Sequence, residues 1–262
     1  MTIRKLISAV IITVLFPLVA FSQTDKKSIV KDTREYVDLG LPSGTLWATC
    51  NIGASKPEEF GLYFAWGETK GYTSDTSDRH KFEIKNYKWY DFNSKYPKLL
   101  KYRINRNGIA DKKVLDPEDD AATVNWGSKW QIPSLEQIKE LCDSTYTTAE
   151  WTTLNGVNGR KITSKKNDNW IFLPAANIII TAGSSGIYWS RTLYMGMDDD
   201  AVTLEFYKDK RFFDSHTPRY YGLRIRPVRT QKQKSGKKKI DKNETEEDVF
   251  MLVPVEVPLP KK

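Results

Sequence analysis

The stretch DAATVNWGSKWQIPSLEQIKEL, residues 120–141, sets two tryptophans directly before a segment of helical periodicity. Trp126 and Trp130 lie four residues apart, and Gly127 between them gives the chain room to turn. Tryptophan rings bury large areas and pin loops that lack regular structure. The stretch therefore predicts a helix that follows a loop fixed by buried rings.

The helix is predicted over about residues 133–143. Pro133 stands at its start, Ser134 is the candidate N-cap, and Gln137 follows three residues later, as in a capping box. Apolar side chains recur along one face, at Leu135, Ile138, Leu141 and Cys142. Helical periodicity is scarce in the rest of the chain, so this is predicted to be the one main helix.

Short β-strand patterns, separated by glycine and asparagine turns, account for most of the remaining body. Two of them flank the polar tip KKNDN, which predicts a hairpin. Together with the helix they predict an α+β fold of short strands and long loops. The predicted strands are residues 35–41, 45–50, 61–68, 160–164, 169–176, 186–192, 201–207 and 221–228. The predicted core tryptophans are Trp47, Trp66, Trp126 and Trp189.

The N-terminus has the pattern of an export signal. Arg4 and Lys5 precede the apolar run LISAVIITVLFPLVA, and the small residues of AFS come before Gln23. This order predicts a signal peptide over residues 1–22, with an uncleaved anchor as the alternative. The run is short for a membrane span and Pro17 interrupts it, so we expect none after cleavage. The protein is expected in the periplasm, on the outer surface or outside the cell.

The domain organisation follows from composition. Residues 23–33 are polar and are predicted to be a flexible leader, and residues 34–230 are predicted to form a single domain. Residues 70–120 lack a clear period and form a long, aromatic-rich insertion, which tends to cover a domain or carry function. Residues 231–262 are lysine-rich and are predicted to be disordered.

The charge excludes one class of partner. The formal net charge of +8 is a mild excess for 262 residues, and the spacing does not place it along one face. Nucleic-acid binding requires arginines and lysines along one stripe with aromatic platforms. We therefore expect no nucleic-acid partner, and the sequence leaves the oligomeric state open.

The two cysteines, Cys50 and Cys142, leave two alternatives open. In an oxidising compartment they could pair, and a bridge that closes about 90 residues would contribute several kcal/mol. Alternatively they are two buried thiols that act as small hydrophobes. Together with His80 and His216 they do not form a zinc-ligand pattern, so no metal and no cofactor are expected.

Two acidic clusters raise the question of a metal site. Asp198, Asp199 and Asp200 precede an alternating strand pattern. Consecutive side chains in an extended segment point to alternate sides, so at most two of them could share an ion, and a hairpin tip is predicted instead. In the second cluster, DPEDD at residues 116–120, Asp120 is predicted to start a helix or a turn. No nucleophile elbow, P-loop or dinucleotide fingerprint occurs in the chain.

Seven blocks of sequence occur in a recognisable order: EYVDLGLPSGTLWATCNIGA, GLYFAWGET, DAATVNWGSKWQIPSLEQIKEL, WTTLNGVNG, NWIFLPAA, GIYWSRT and YGLRIRPV. Across residues 35–229 the chain resembles the Fibrobacter succinogenes major paralogous domain family. That family is related to the C-type-lectin-like fold of sulfatase-modifying enzymes and of the variable proteins of diversity-generating retroelements. The resemblance implies a C-type-lectin-like domain whose first and last strands pair, so that both termini emerge together. Most members have no established activity.

In such a body the loops between the last strands carry recognition. Two loops are predicted, at residues 192–200 and 208–220. Their candidate ligand-binding residues are Tyr194, Met195, Met197, Phe212, Phe213, His216, Arg219 and Tyr220. The predicted function is a secreted, non-catalytic binding module that recognises a glycan or a protein at the bacterial cell exterior. The alternatives are a structural or accessory surface protein without a loop ligand, and a divergent oxidase of the sulfatase-modifying type, which needs a pair of reactive cysteines.

Overall fold

The computed structural model describes residues 34–74, 76–175, 183–209 and 212–230. The predicted signal peptide, leader and tail lie outside the described residues, at 1–22, 23–33 and 231–262. The described residues from Glu35 onward belong to one unit. None of their helices has the length and apolar character that crossing a membrane requires.

The predicted main helix is present as α2, Leu135–Cys142. Ser134 caps it through a reciprocal pair of bonds with Gln137: the Ser134 hydroxyl accepts the Gln137 N–H, and the Gln137 side chain accepts the Ser134 N–H. Ile138 and Leu141 are fully buried. The helix, its cap and its apolar face are therefore confirmed.

A second helix, α1, spans Ala121–Trp126. The Asp120 carboxylate caps it by accepting the Thr123 N–H at 2.9 Å, and it also accepts the N–H of Ile132 at 3.0 Å. Asp120 thus begins a helix, as predicted, and at the same time fixes the turn that leads towards α2. The expectation of a single main helix overlooked α1 because six residues carry too little periodicity.

The described residues contain eleven strands, which form four small antiparallel sheets. The sheets have the orders β1-β2-β11, β10-β9-β8, β5-β6-β7 and β3-β4. The strands are β1 Tyr36–Asp38, β2 Thr45–Ala48, β3 Tyr90–Asp91, β4 Lys98–Leu99, β5 Thr147–Leu154, β6 Val157–Ser164, β7 Trp170–Pro174, β8 Ser185–Leu193, β9 Asp200–Tyr207, β10 Phe212–Pro218 and β11 Val228–Thr230.

The first and last strands share a sheet but do not pair with each other. Both pair with β2, so Val37 and Val228 lie on either side of Trp47. The expected direct pairing is therefore wrong. The chain nevertheless enters and leaves the body at one sheet, because β2 brings β1 and β11 together.

The sheet β10-β9-β8 lies between two apolar clusters. Leu204 and Phe206 belong to the cluster that contains the apolar face of α2 and Trp47. Ala201, on the opposite face of β9, belongs to the cluster that contains Trp66 and Trp130. Nearly all of β9 is buried because both faces of this sheet are covered. This layering gives the ends of β8, β9 and β10 a rigid support.

Three of the four predicted core tryptophans are confirmed, and the prediction for Trp126 is wrong. Trp47, Trp66 and Trp189 are fully buried. Trp126 is only half-buried, and its ring packs edge-to-face on the fully buried Trp130 at a centroid distance of 5.1 Å. The pair closes the loop ahead of α2, which is the role that the sequence indicates.

Several strand boundaries differ from the predictions. The predicted strand 61–68 forms only isolated bridges, and the predicted loop 208–220 contains β10. β5 is absent from the predictions, although it pairs with β6 over its whole length. The insertion 70–120 contains the hairpin β3–β4 and two 3-10 helices, Thr76–Phe82 and Ile84–Asn86. Pairing partners supplied by distant segments decide these boundaries.

Arginines fill parts of the interior where loops leave carbonyl groups without a ladder partner. Arg160, Arg219, Arg224 and Arg226 are among the largest fully buried side chains. Arg226 donates to the Asn51 side chain and to the carbonyls of Ala48, Thr49 and Phe172. A guanidinium offers five N–H donors in a planar fork, which suits several carbonyls at once. Buried arginines therefore hold irregular backbone in this fold.

Candidate ligand-binding surface

The structure brings the two predicted loops together at one end of the β10-β9-β8 sheet. β8 ends at Leu193 and β9 begins at Asp200, so residues 194–199 form the connecting loop. Pro218 at the end of β10 pairs with Asp200. The predicted tip position is therefore confirmed for Asp198 and Asp199 and wrong for Asp200, which is buried at the start of β9, and residues 194–199 lie beside the end of β10.

Tyr194 is held in place by its neighbours. Its ring stacks on the His216 ring at a centroid distance of 3.9 Å and an interplanar angle of 7°. Gly196 packs against the hydroxyl end of the ring, since a Cβ at this position would lie 2.7 Å from the Tyr194 Cε1. One face of the ring and its hydroxyl end are thus occupied. Tyr194 therefore supports the loop with one of its two faces.

His216 and Asp200 form a pair across the β9–β10 ladder. The His216 Nδ1 lies 2.7 Å from the Asp200 Oδ2. The Asp200 side chain is nearly buried, whereas 40% of the His216 side chain is exposed. The ring is therefore fixed at Nδ1 by a carboxylate and on one face by a tyrosine. Asp200 serves as an internal partner, so the three consecutive aspartates do not share one role.

Arg219 lies in the interior, with only 1% of its surface exposed, so its prediction as an exposed loop residue is wrong. Its guanidinium donates to the Tyr87 hydroxyl and to the backbone carbonyls of Lys101, Tyr102 and Asp198. The carbon Cζ lies 4.8 Å from the centre of the Trp66 ring. The side chain points inward because irregular segments converge there and leave carbonyls that need donors.

The insertion joins the surface through its own backbone. The N–H of Ile104 donates to Asp198 Oδ2 at 3.2 Å, and the N–H of Leu193 donates to the carbonyl of Lys113 at 2.8 Å. Ile104 also lines a groove of about 370 Å³ together with Arg103, Asn105, Ile109, Ala110 and Asp111. The insertion therefore helps to build the same end of the molecule as the predicted loops.

The tip carries a concentration of negative charge. Burial raises the pKa of Asp199, and the adjacent carboxylate of Asp198 raises it further. Burial and the charges of Asp199 and Asp198 also raise the pKa of Tyr90 in β3, which places that hydroxyl near the tip. Arg219, the cation beneath the tip, donates to the Asp198 carbonyl. The charge of Arg219 lowers the pKa of Asp199, but burial and the adjacent carboxylate outweigh it, so Arg219 compensates the negative charge of the tip only in part.

Exposed methionines flank the tip. Met195 and Met197 expose 40% and 53% of their surfaces. Of the phenylalanine pair, Phe212 packs against the apolar cluster of α2, and Phe213 stacks on Tyr207 at 6.3 Å between centroids. Tyr220 packs edge-to-face on Tyr221. Among the predicted ligand-binding residues, the methionines are the most exposed apolar side chains on the surface.

Sequence reasoning omitted the aromatic residues of the β3–β4 hairpin from the site. Tyr90 and Phe92 pack together at 4.7 Å between centroids, and Phe92 is largely exposed. Tyr96, near the tip of the same hairpin, is more exposed than any methionine of the loop. The density of aromatic residues in NYKWYDFNSKYP, residues 86–97, could have indicated this hairpin as a candidate, although only folding brings Tyr90 within reach of the charges of Asp198 and Asp199.

The acidic cluster before α1 is already neutralised by lysine. Among the described residues, Asp116, Glu118 and Asp119 form one group whose carboxylate oxygens lie within 4.8 Å of one another. The Lys101 ammonium lies 2.6 Å from both Asp116 and Asp119, and the Tyr102 hydroxyl donates to Asp119 at 2.7 Å. Burial alone would raise the pKa of Asp119, but the bonds from Lys101 and Tyr102 outweigh it, so the pKa lies below its usual value. The ammonium group supplies the positive charge that a metal ion would bring.

The cysteines are free thiols, so the paired alternative is wrong for this structure. Cys142 ends α2 and packs against the apolar cluster there, whereas Cys50 follows β2 and lies near the Thr49 hydroxyl. Burial raises the pKa of the Cys142 thiol well above its usual value. A thiol that resists ionisation is a poor nucleophile and a poor copper ligand.

No family model, curated protein or solved structure matches this chain. The fold defines the class, an α+β protein of small antiparallel sheets with few helices. The surface at the end of β8, β9 and β10 combines the β8–β9 loop, the end of β10 and the buried Arg219.

Proposed function

We propose that this chain is a secreted, non-catalytic binding module of C-type-lectin-like fold, which recognises a glycan or a protein at the bacterial cell exterior. The observation that carries the proposal is the joining of residues 194–199 and the end of β10 into one surface on a rigid sheet. Recognition residues are commonly found on loops that a rigid scaffold positions. Here the buried Arg219 side chain holds the loop by donating a hydrogen bond to the Asp198 carbonyl, while Met195 and Met197 are exposed.

The shared sheet of the first and last strands supports neighbouring termini, because β1 and β11 both flank β2, although they do not pair directly as the resemblance implies. The ordered sequence blocks across residues 35–229 support the family resemblance. The basic and apolar pattern of residues 1–22 supports export.

The oxidase alternative is disfavoured by the cysteines. Such chemistry requires two reactive thiols, and the raised pKa of Cys142 favours its protonated form. A surface protein without a loop ligand remains as the alternative that a binding experiment distinguishes.

The test is a binding screen with the purified mature protein against a glycan array and a panel of defined synthetic peptides. Binding should be lost in the double variant Met195→Ser/Met197→Ser. The matched control is Val124→Ser on α1, which removes a similarly exposed apolar side chain and should bind normally. Absence of binding to every probe, or equal binding by both variants, would refute a ligand site at the loop surface.

A further inference from the structure

We propose that the loop surface binds a protein segment in which apolar side chains lie next to a lysine or an arginine. This inference rests on the proposed function and chooses between its two ligand classes. The surface consists of Met195, Met197, Asp198 and Asp199 on the β8–β9 loop; the charges of the two aspartates reach Tyr90, on which Phe92 packs.

The first argument concerns the ring that would serve a sugar. A sugar ring packs its C–H face on an open aromatic face, and Tyr194 is the aromatic residue of the β8–β9 loop. One of its faces is covered by His216, and Gly196 packs against its hydroxyl end. The fold therefore already uses one face of the ring that a glycan would use.

The second argument concerns what is exposed instead. Met195 and Met197 stand on either side of Gly196, and both expose a large part of their surface. Methionine is unbranched and polarisable, so it adapts to apolar side chains of different shapes, and methionine-rich surfaces often bind protein segments. Phe92, which packs on Tyr90, is a partly exposed aromatic ring. Methionine and aromatic residues are enriched in protein–protein interfaces.

The third argument is charge complementarity. Asp198 and Asp199 are adjacent, and burial together with the neighbouring carboxylates raises the pKa of Asp199. The guanidinium of Arg219 bonds only to neutral acceptors, and its charge lowers the pKa of Asp199 less than burial and the carboxylates raise it. A lysine or arginine of a partner would relieve the repulsion at the tip while apolar neighbours cover the methionines. Complementary charges of this kind set orientation and the rate of association.

The experiment uses three synthetic peptides of equal length, which alternate leucine with lysine, leucine with glutamate, and serine with lysine. Binding to the mature protein is measured by fluorescence anisotropy at low and high salt. We expect the leucine–lysine peptide to bind at least about tenfold more tightly than either of the others, since it alone supplies both apolar side chains and cations. Its affinity should fall with salt, because exposed charges are screened.

Two variants separate the contributions. The variant Asp198→Asn/Asp199→Asn should lower the affinity for the leucine–lysine peptide about tenfold, and that affinity should then depend less on salt concentration. The variant Met195→Ser/Met197→Ser should lower the affinity for this peptide by a similar factor and leave its dependence on salt concentration unchanged. The control Glu150→Gln/Asp168→Asn removes the same formal charge from exposed positions of β5 and the β6–β7 turn, and it should bind normally.

The outcomes distinguish the two proposals. Equal affinity for all three peptides, or equal weakening by the control variant, overturns the inference. Binding of a glycan that depends on Met195 and Met197 also overturns it but supports the proposed function. If no glycan and no peptide binds the protein, both the inference and the proposed function are overturned.

Discussion

Replacing Arg219 with methionine should destabilise the protein more than any exposed substitution. Methionine nearly preserves the length of the side chain and removes every donor. Four hydrogen bonds are lost, to the Tyr87 hydroxyl at 3.0 Å and to the carbonyls of Tyr102, Asp198 and Lys101 at 3.1, 2.9 and 3.1 Å. Three backbone carbonyls from two segments, residues 101–102 and residue 198, then lose this donor.

The magnitude follows from these losses. A buried acceptor left without a donor costs about 1–3 kcal/mol. The contact of the guanidinium with the Trp66 ring contributes about 0.5–2 kcal/mol more. Because methionine is uncharged, the variant no longer bears the cost of burying a guanidinium, and this gain offsets part of the loss. The expected decrease in the free energy of unfolding is therefore about 3–5 kcal/mol, as for the removal of one partner from a buried charged group.

The assay is urea denaturation of the purified protein, followed by tryptophan fluorescence, because Trp66 lies directly against the guanidinium. Arg219→Lys keeps the charge but loses the planar fork, so it should fall between wild type and methionine. The control is Arg106→Met at an exposed position, which should change the free energy by less than about 0.5 kcal/mol. A loss below about 1 kcal/mol for Arg219→Met would refute the reasoning that this side chain holds the loop backbone.

The other predictions concern three further features. Gly196→Ala should lower stability by about 1–3 kcal/mol and alter the near-ultraviolet circular dichroism of Tyr194, because the new Cβ would overlap the ring; an unchanged spectrum would contradict the packing. Asp119→Asn should cost about 1–3 kcal/mol at neutral pH. Since the pKa of Asp119 is lowered in the folded state, its contribution is present above the unfolded pKa and is lost as the pH falls through the folded value. The stability curves of wild type and Asp119→Asn should therefore converge in acid, and parallel curves would count against the pairing. Cys142 should react slowly with a thiol reagent in the native protein, and reduction should leave the mass of the protein unchanged, whereas a mass increase on reduction would show that Cys50 and Cys142 pair.

Local sequence predicted the parts of this fold that depend on near neighbours. The capping box of α2 lies within four consecutive residues, and the hairpin β6–β7 turns over the polar tip that the sequence indicated. The tip at Asp198 and Asp199 follows from charged residues set before a strand pattern. In each case the deciding contacts join residues close in the chain, where periodicity and turn composition report them directly.

The candidate surface was predicted only in part. The methionines were placed correctly on an exposed loop, since their sequence context is polar and lies between two strands. β10 was missed because its register depends on pairing with β9. Tyr194 was assigned to a ligand because a tyrosine in a loop has no local feature that reveals a partner ring on another strand.

The sequence by itself determined the local elements, the buried tryptophans and the position of the acidic tip, because each of these follows from composition and spacing along a short stretch of chain. Only the tertiary structure decided that Arg219 points inward, that Tyr194 stacks on His216, and that the insertion lies beside the β8–β9 loop. Arg219 and Tyr102, for example, are 117 positions apart in the chain, yet they are joined by a hydrogen bond. The direction of a side chain in an irregular segment depends on which distant carbonyls and rings folding brings within reach, and no local pattern encodes that information.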